Sequence, residues 1–165
     1  MGKGVYLQRA LTKEAEGGMT AGPGLVLLKV RFAECPIQAT LGTLGKKWTM
    51  LILRDIGLRK IRRFNRLLES IPGLTPRVLS MRLKELEVEG FVKRLKSQHG
   101  PRVVRWALTE KGHDTLPVLM RLIEFGAKWH ADVAFEDKRP RKLGEIFKPE
   151  AIRVLRKYAQ APILR

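Results

Sequence analysis

One cysteine, Cys35, stands in 165 residues, so the chain can form no intrachain disulfide. Acidic residues are also few: 16 Asp and Glu against 33 Lys and Arg, a formal charge of +17. Long apolar runs are missing. The longest, Leu25–Leu28 and Met50–Leu53, fall far short of the roughly 20 residues that span a bilayer, which argues against a membrane protein. The first residues lack the continuous apolar segment and small-residue cleavage site of a secretory signal, so a cytoplasmic, nucleoid-associated protein is expected. Histidines number three, and His99, His113 and His130 are too scattered for a ligand pair at i, i+3 or i+4. No cofactor or metal is expected. Gly42 to Lys47 superficially resembles a phosphate loop, but Thr40 stands at the required first glycine and Lys47, not Ser or Thr, follows Lys46. No nucleophile–base pair follows from spacing either, so an enzyme is not expected.

What is present is a chain with 44% hydrophobic residues, enough for one domain with a core plus appendages. The positive excess is spread: net +10 over residues 31–133, +5 over 134–165 and +2 over 1–30. A basic domain gains affinity for polyanions by releasing counterions, so nucleic acid is the first partner to consider and an anionic membrane surface the second.

The stretch around Phe64 to Leu86 is the most informative. Phe64, Leu67, Leu68 and Ile71 predict a helix over residues 63–71, and Leu79, Leu83 and Leu86 predict another from Pro76 to Glu89. Between them Pro72-Gly73 marks a tight turn. Thr75 is placed to cap the second helix, with Pro76 at the first helical position, where its missing N–H costs nothing. These signals suit a DNA-reading helix–turn–helix, and they also suit an ordinary helical hairpin. The flanks decide between them.

Upstream, a short helix is expected from Cys35-Pro36 to about Leu44, and a second from Lys46 to about Ile56 with Trp48, Leu51, Ile52 and Ile56 inward. Downstream the period changes. Residues 91–95 and 102–108 are β-favouring runs around Gln98-His99-Gly100-Pro101, which reads as a hairpin. Thr109 then begins a helix expected to reach about Val133, with an irregularity near Pro117. A charged linker, Glu136 to Lys142, leads to a last amphipathic helix near Pro149–Ala159, with Ile152, Leu155 and Tyr158 inward. Residues 1–24 are glycine-rich, and 25–32 read as either a short strand or an arm. The expected fold is therefore mainly α with a small β-hairpin, an α+β winged helix-turn-helix. Its expected divisions are an extension over 1–30, the domain over 31–133, and a basic linker and helix over 134–165.

Several blocks appear in the order seen in HxlR-type transcriptional regulators. They are Cys35-Pro36-Ile37, Gly45-Lys46-Lys47-Trp48-Thr49, Leu51-Ile52-Leu53-Arg54-Asp55, Arg63-Phe64, and Pro72-Gly73-Leu74-Thr75-Pro76-Arg77-Val78-Leu79. Arg82-Leu83-Lys84-Glu85-Leu86, Gly90-Phe91-Val92, Leu108-Thr109-Glu110-Lys111-Gly112 and Pro117-Val118-Leu119 continue the series. Over about residues 35–130 the chain resembles that family, whose architecture is related to the MarR group. The resemblance implies a dimeric winged-helix DNA-binding regulator, and in several members a response to thiol or electrophile stress through the N-terminal cysteine. Two positions depart from the pattern. Lys46 replaces the usual second glycine, and Arg105-Trp106 stands where an acidic residue and tyrosine are common.

On a helical wheel at about 100° per residue, Arg77, Met81 and Lys84 point nearly opposite the leucines. Thr75, Arg77, Val78 and Met81 are the candidate base-edge residues, with Arg77 suited to guanine O6 and N7 and Val78 or Met81 to a thymine methyl. Arg82 flanks them and suits either a phosphate or an internal carboxylate. Arg59, Lys60, Arg62 and Arg63 crowd the entrance of the preceding helix as a candidate phosphate clamp. On the wing, Lys96, Ser97, His99 and Arg102 are candidates for the minor groove or backbone. Cys35, at a helix N-cap, is either a thiol sensor or a small packing residue. Trp48, Trp106 and Trp129 are expected as core or dimer anchors. Leu116, Leu119, Met120, Leu122, Ile123 and Phe125 make too broad an apolar face for one small domain, so a two-fold homodimer is expected. The expected function is regulation of transcription on a near-palindromic duplex. The alternative is an architectural, chromatin-like protein of low sequence specificity. The effector is open.

Overall fold

A computed structural model describes residues 33–95 and 104–153. The chain divides into two units at Lys46/Lys47. In the first, α1 (Pro36–Leu44) starts as expected: Pro36 takes the first helical position, and Cys35, at the N-cap, is extended. The Cys35 carbonyl accepts the Ala39 N–H at 3.0 Å, while its half-buried thiol makes no capping bond. Gly45 closes the helix, and a Cβ there would stand 2.6 Å from the Leu41 carbonyl oxygen.

The second unit opens with α2 (Thr49–Gly57), which begins three residues later than the apolar spacing suggests. Trp48 is the reason. It adopts a left-handed φ of 77° and serves as the N-cap, its carbonyl taking the Ile52 N–H at 2.9 Å. The indole ring then meets the turn between the next two helices: a Cβ on Gly73 would lie 3.4 Å from it. Gly73 itself has φ +80°, a conformation that glycine adopts without cost. Helices α3 (Phe64–Ser70) and α4 (Pro76–Val88) flank that turn. Thr75 caps α4 through its hydroxyl, 3.3 Å from the Val78 nitrogen. At the other end Gly90, with φ +77°, turns the chain into the sheet.

Strands β1 (Val92–Leu95) and β2 (Arg105–Leu108) pair antiparallel, with Val92 opposite Leu108 and Leu95 opposite Arg105. The hairpin expectation holds for these strands. A further bridge joins Arg63 to Arg105, and the Trp106 N–H donates to the Arg62 carbonyl at 2.8 Å. The segment before α3 therefore lies along the outer edge of β2, which period-two patterning of the hairpin alone does not reveal.

After the sheet, the long helix expected from Thr109 is broken into α5 (Glu110–His113), α6 (Leu116–Trp129) and α7 (Ala131–Ala134). The break falls at Asp114-Thr115, just ahead of Pro117, whose ring and missing N–H cannot continue a helix from the preceding turn. Thr109 ties α5 to the sheet: its hydroxyl accepts the Gly112 N–H and donates to the Gly90 carbonyl. The charged linker is not a free tether, since the Arg141 N–H donates to Ala127 in α6 and its guanidinium pairs with Asp137 at 2.7 Å. A short α8 (Leu143–Ile146) follows, unanticipated, and residues 149–153 are helical. Leu155 and Tyr158 lie outside the described residues.

The core is aliphatic. Ile52, Leu53 and Ile56 of α2 are buried, as are Leu67 and Ile71, the α4 leucines Leu79, Leu83 and Leu86, and Val92, Trp106, Leu108 and Leu116. Burying each such side chain contributes roughly 1.5–3 kcal/mol. That layer holds α3, α4 and the hairpin in one rigid arrangement and leaves their polar sides outward.

Candidate nucleic-acid interface

The three buried leucines of α4 face the core, so the opposite side of the helix faces solvent. Arg77 and Lys84 are exposed there, and Met81 is 45% exposed. Neither cation ion-pairs with a described carboxylate. Val78 is half-buried at the edge of this face. Thr75 is exposed, but its hydroxyl already serves the cap. Ser80 also lies on the exposed side, a polar residue one turn from Arg77 that neither charge nor a methyl group marks in the sequence.

Arg82 is resolved toward the internal reading. Its side chain is only 16% exposed, Nη1 sits 2.6 Å from the Glu85 carboxylate, and Nε donates to the Lys47 carbonyl at 3.2 Å. Burial on the α2 side turns it away from the Arg77 face.

The basic loop before α3 is organised by Asp55. This carboxylate is fully buried yet receives the Arg54 Nε at 2.7 Å, the Arg59 Nη1 at 3.2 Å and the Ser70 hydroxyl. Its own carbonyl accepts the Ile61 N–H at 2.9 Å. A charge taken out of water needs such saturation, since an unpaired buried carboxylate is costly. Arg59 is thus tied to a buried carboxylate, although half of its side chain stays exposed. Lys60 (φ +59°), Arg62 and Arg63 remain exposed on the loop. With Arg66 and Arg105 they line an open groove of about 610 Å³. A neighbouring groove of about 690 Å³ lies beside Phe64, Asn65, Arg94 and Trp106. Arg94 stacks over the Trp106 ring at 5.1 Å and pairs with Glu87 at 3.0 Å.

Sequence reasoning did not single out Arg66 and Arg105 as groove residues. The Arg105-Trp106 departure was the available signal, but its meaning depends on the bridge to Arg63. Lys96, Ser97, His99 and Arg102, the residues expected on the wing, lie outside the described residues. Among the described residues no group of three His, Cys, Asp or Glu side chains is arranged to hold a metal, and no helix is long and apolar enough to cross a membrane.

A family model described as HxlR-like helix-turn-helix matches residues 43–134. This chain belongs to that family. Among its relatives, the uncharacterized HTH-type transcriptional regulator YdzF of Bacillus subtilis is 32% identical over 96 residues, which cover 58% of this chain and 88% of YdzF. A second HTH-type regulator, sll1512 of Synechocystis, is 35% identical, over 58% of this chain and 70% of the relative. Among solved structures, the redox regulator HypR in its oxidized form is 32% identical with a TM-score of 0.51, over 56% of this chain and 94% of HypR. A MarR-family regulator from Porphyromonas gingivalis aligns with a TM-score of 0.52 and 30% identity, over 60% of this chain and 96% of its own. Mostly helical with one hairpin, this HxlR-type chain shares the winged helix-turn-helix fold of these regulators.

Proposed function

We propose that this HxlR-type protein regulates transcription by binding a near-palindromic duplex site as a two-fold homodimer, acting in the cytoplasm at the nucleoid. The supporting observation is the outward Arg77–Met81 side of α4, presented free of internal ion pairs, together with the exposed cations Lys60, Arg62 and Arg63 on the loop before α3. In this reading α4 enters the major groove, its first turns meet base edges, and the basic loop holds the phosphate backbone. Arg77 is the guanine reader, with Met81 and Val78 touching thymine methyl groups. Lys96, Ser97, His99 and Arg102 extend the contact as the wing. Arg82 and Arg59 act indirectly, by fixing α4 and the loop.

Dimerisation is supported by the apolar stripe on α6. Val118, Leu122, Phe125 and Trp129 are 46%, 52%, 57% and 62% exposed at spacings that place them on one helix face. Soluble proteins seldom leave such a stripe in water. A two-fold pairing over it sets two recognition helices roughly 34 Å apart, one turn of DNA. Residues 31–133 then form the DNA-binding and dimerisation domain, with 1–30 and 134–165 as appendages.

Selection of bound fragments from random duplexes tests the reading. One enriched motif with internal two-fold symmetry is expected. Flat enrichment with steep salt dependence would instead favour the architectural role that +17 suits. A thiol response at Cys35 belongs to the proposal as well, supported by the likeness to a regulator described as redox-responsive. Cys35→Ser should abolish release of DNA by diamide, and unchanged release would remove the sensor.

A further inference from the structure

The bridge between Arg63 and Arg105 sets two cationic side chains directly opposite one another. Bridge partners project from the same side of a sheet with Cβ atoms about 4.5–5.5 Å apart, and like charges there repel. Several other arginines face a carboxylate: Arg59 has Asp55, Arg82 has Glu85 and Arg94 has Glu87. Neither Arg63 nor Arg105 has such a partner among the described residues. Lys60, Arg62 and Arg66 line the same groove, and its one acidic wall residue, Glu69, is held by Arg66 at 2.9 Å. The two backbones are held together where these side chains project: the Trp106 N–H donates to the Arg62 carbonyl at 2.8 Å, and the Ile61 N–H, bonded to the Asp55 carbonyl at 2.9 Å, anchors the loop ahead of Arg63.

We propose that the Arg63–Arg105 pair is an oxyanion site that takes a phosphate group, which supplies the negative charge the fold withholds. A phosphate offers each guanidinium its own oxygen, and charge-assisted bonds of this kind are the strong ones. The group is either a backbone phosphate of bound duplex, an assignment that rests on the DNA-binding reading, or the phosphate of a small free anion. Both present the same oxygens to the groove.

The test uses the full chain and two variants, Arg105→Gln and Arg105→Glu. Duplex affinity is measured between 50 and 200 mM salt, and inorganic pyrophosphate binding by calorimetry at low salt. If a backbone phosphate occupies the site, Arg105→Gln lowers the slope of log K against log salt by about 0.9, equally on every sequence. If a free anion occupies it, the slope is unchanged and pyrophosphate binding is lost in Arg105→Glu. In both cases Arg105→Glu raises the melting temperature while it weakens anion binding, because the new carboxylate pairs with Arg63. A purely structural arginine would not give that opposed change. Salt slope and pyrophosphate binding both unaltered in the two variants would overturn the site. A wild-type chain that ignores every duplex, yet binds pyrophosphate through Arg105, would overturn the DNA reading and keep the site.

Discussion

Replacing Asp55 with alanine removes a carboxylate that has no exposed surface and takes hydrogen bonds from Arg54, Arg59 and Ser70. Hydrogen bonds to a charged group are worth about 1.5–3 kcal/mol each, and breaking a buried ion pair costs about 3–5 kcal/mol. The full sum does not apply here. The side chains of Arg54 and Arg59 are 30% and 50% exposed, so water can recover both guanidinium groups once their partner is gone. The Ile61 N–H bond survives, because it is made to the Asp55 backbone. A loss of about 3 kcal/mol is therefore expected, at the low end of the buried-pair range. Urea unfolding of wild type, Asp55→Ala and Asp55→Asn measures it, the amide retaining volume and one acceptor and so losing less. The loop that carries Lys60, Arg62 and Arg63 should loosen, weakening all duplexes alike. A cost below about 1 kcal/mol for Asp55→Ala, the value of an ordinary hydrogen bond, would refute the view that this carboxylate anchors the loop.

Arg77→Ala should relax preference at one base position and cost about 1–3 kcal/mol on the best site, measured by competition between single-base operator variants. Equal losses on every duplex would contradict base reading. Gly112→Ala places a methyl group against the Phe91 carbonyl oxygen and 3.1 Å from the Leu108 Cβ. Backbone cannot yield as a side-chain tip does, so about 3 kcal/mol of stability should be lost, the upper end for overpacking, as read by thermal or urea unfolding. Phe125→Glu, on the exposed α6 stripe, should turn a dimer into a monomer in sedimentation with no loss of helix content. A dimer that persists would place the interface elsewhere.

Much of the fold is legible because it rests on local rules. Leu79, Leu83 and Leu86 recur at helical spacing, Thr75-Pro76 caps and starts α4, and Gly73 and Gly90 stand where the chain needs positive φ. The hairpin follows from two β-favouring runs around a turn. Errors arose where a distant contact set a local conformation. Trp48 fits the apolar period of α2 but lies outside it, because its ring is claimed by the turn at Gly73. The expectation of core or dimer anchors divides among the tryptophans: Trp106 is 5% exposed and belongs to the core, while Trp129 is 62% exposed on the α6 stripe. Composition treats the three alike, and only neighbours distinguish them.

Residue order alone was sufficient for the two helices around Pro72-Gly73, the strands of the hairpin, the polar side of α4 and the surplus of cations, since periodicity and charge are properties of the chain itself. Which cations remain available was settled by three-dimensional packing. Arg59, Arg63, Arg82 and Arg105 are equivalent as letters. Folding gives Arg59 to a buried carboxylate and Arg82 to Glu85, while a backbone bridge sets Arg63 against Arg105. The physical reason is that a charge's role depends on what lies within a few ångströms, and those neighbours come from elements far apart along the chain.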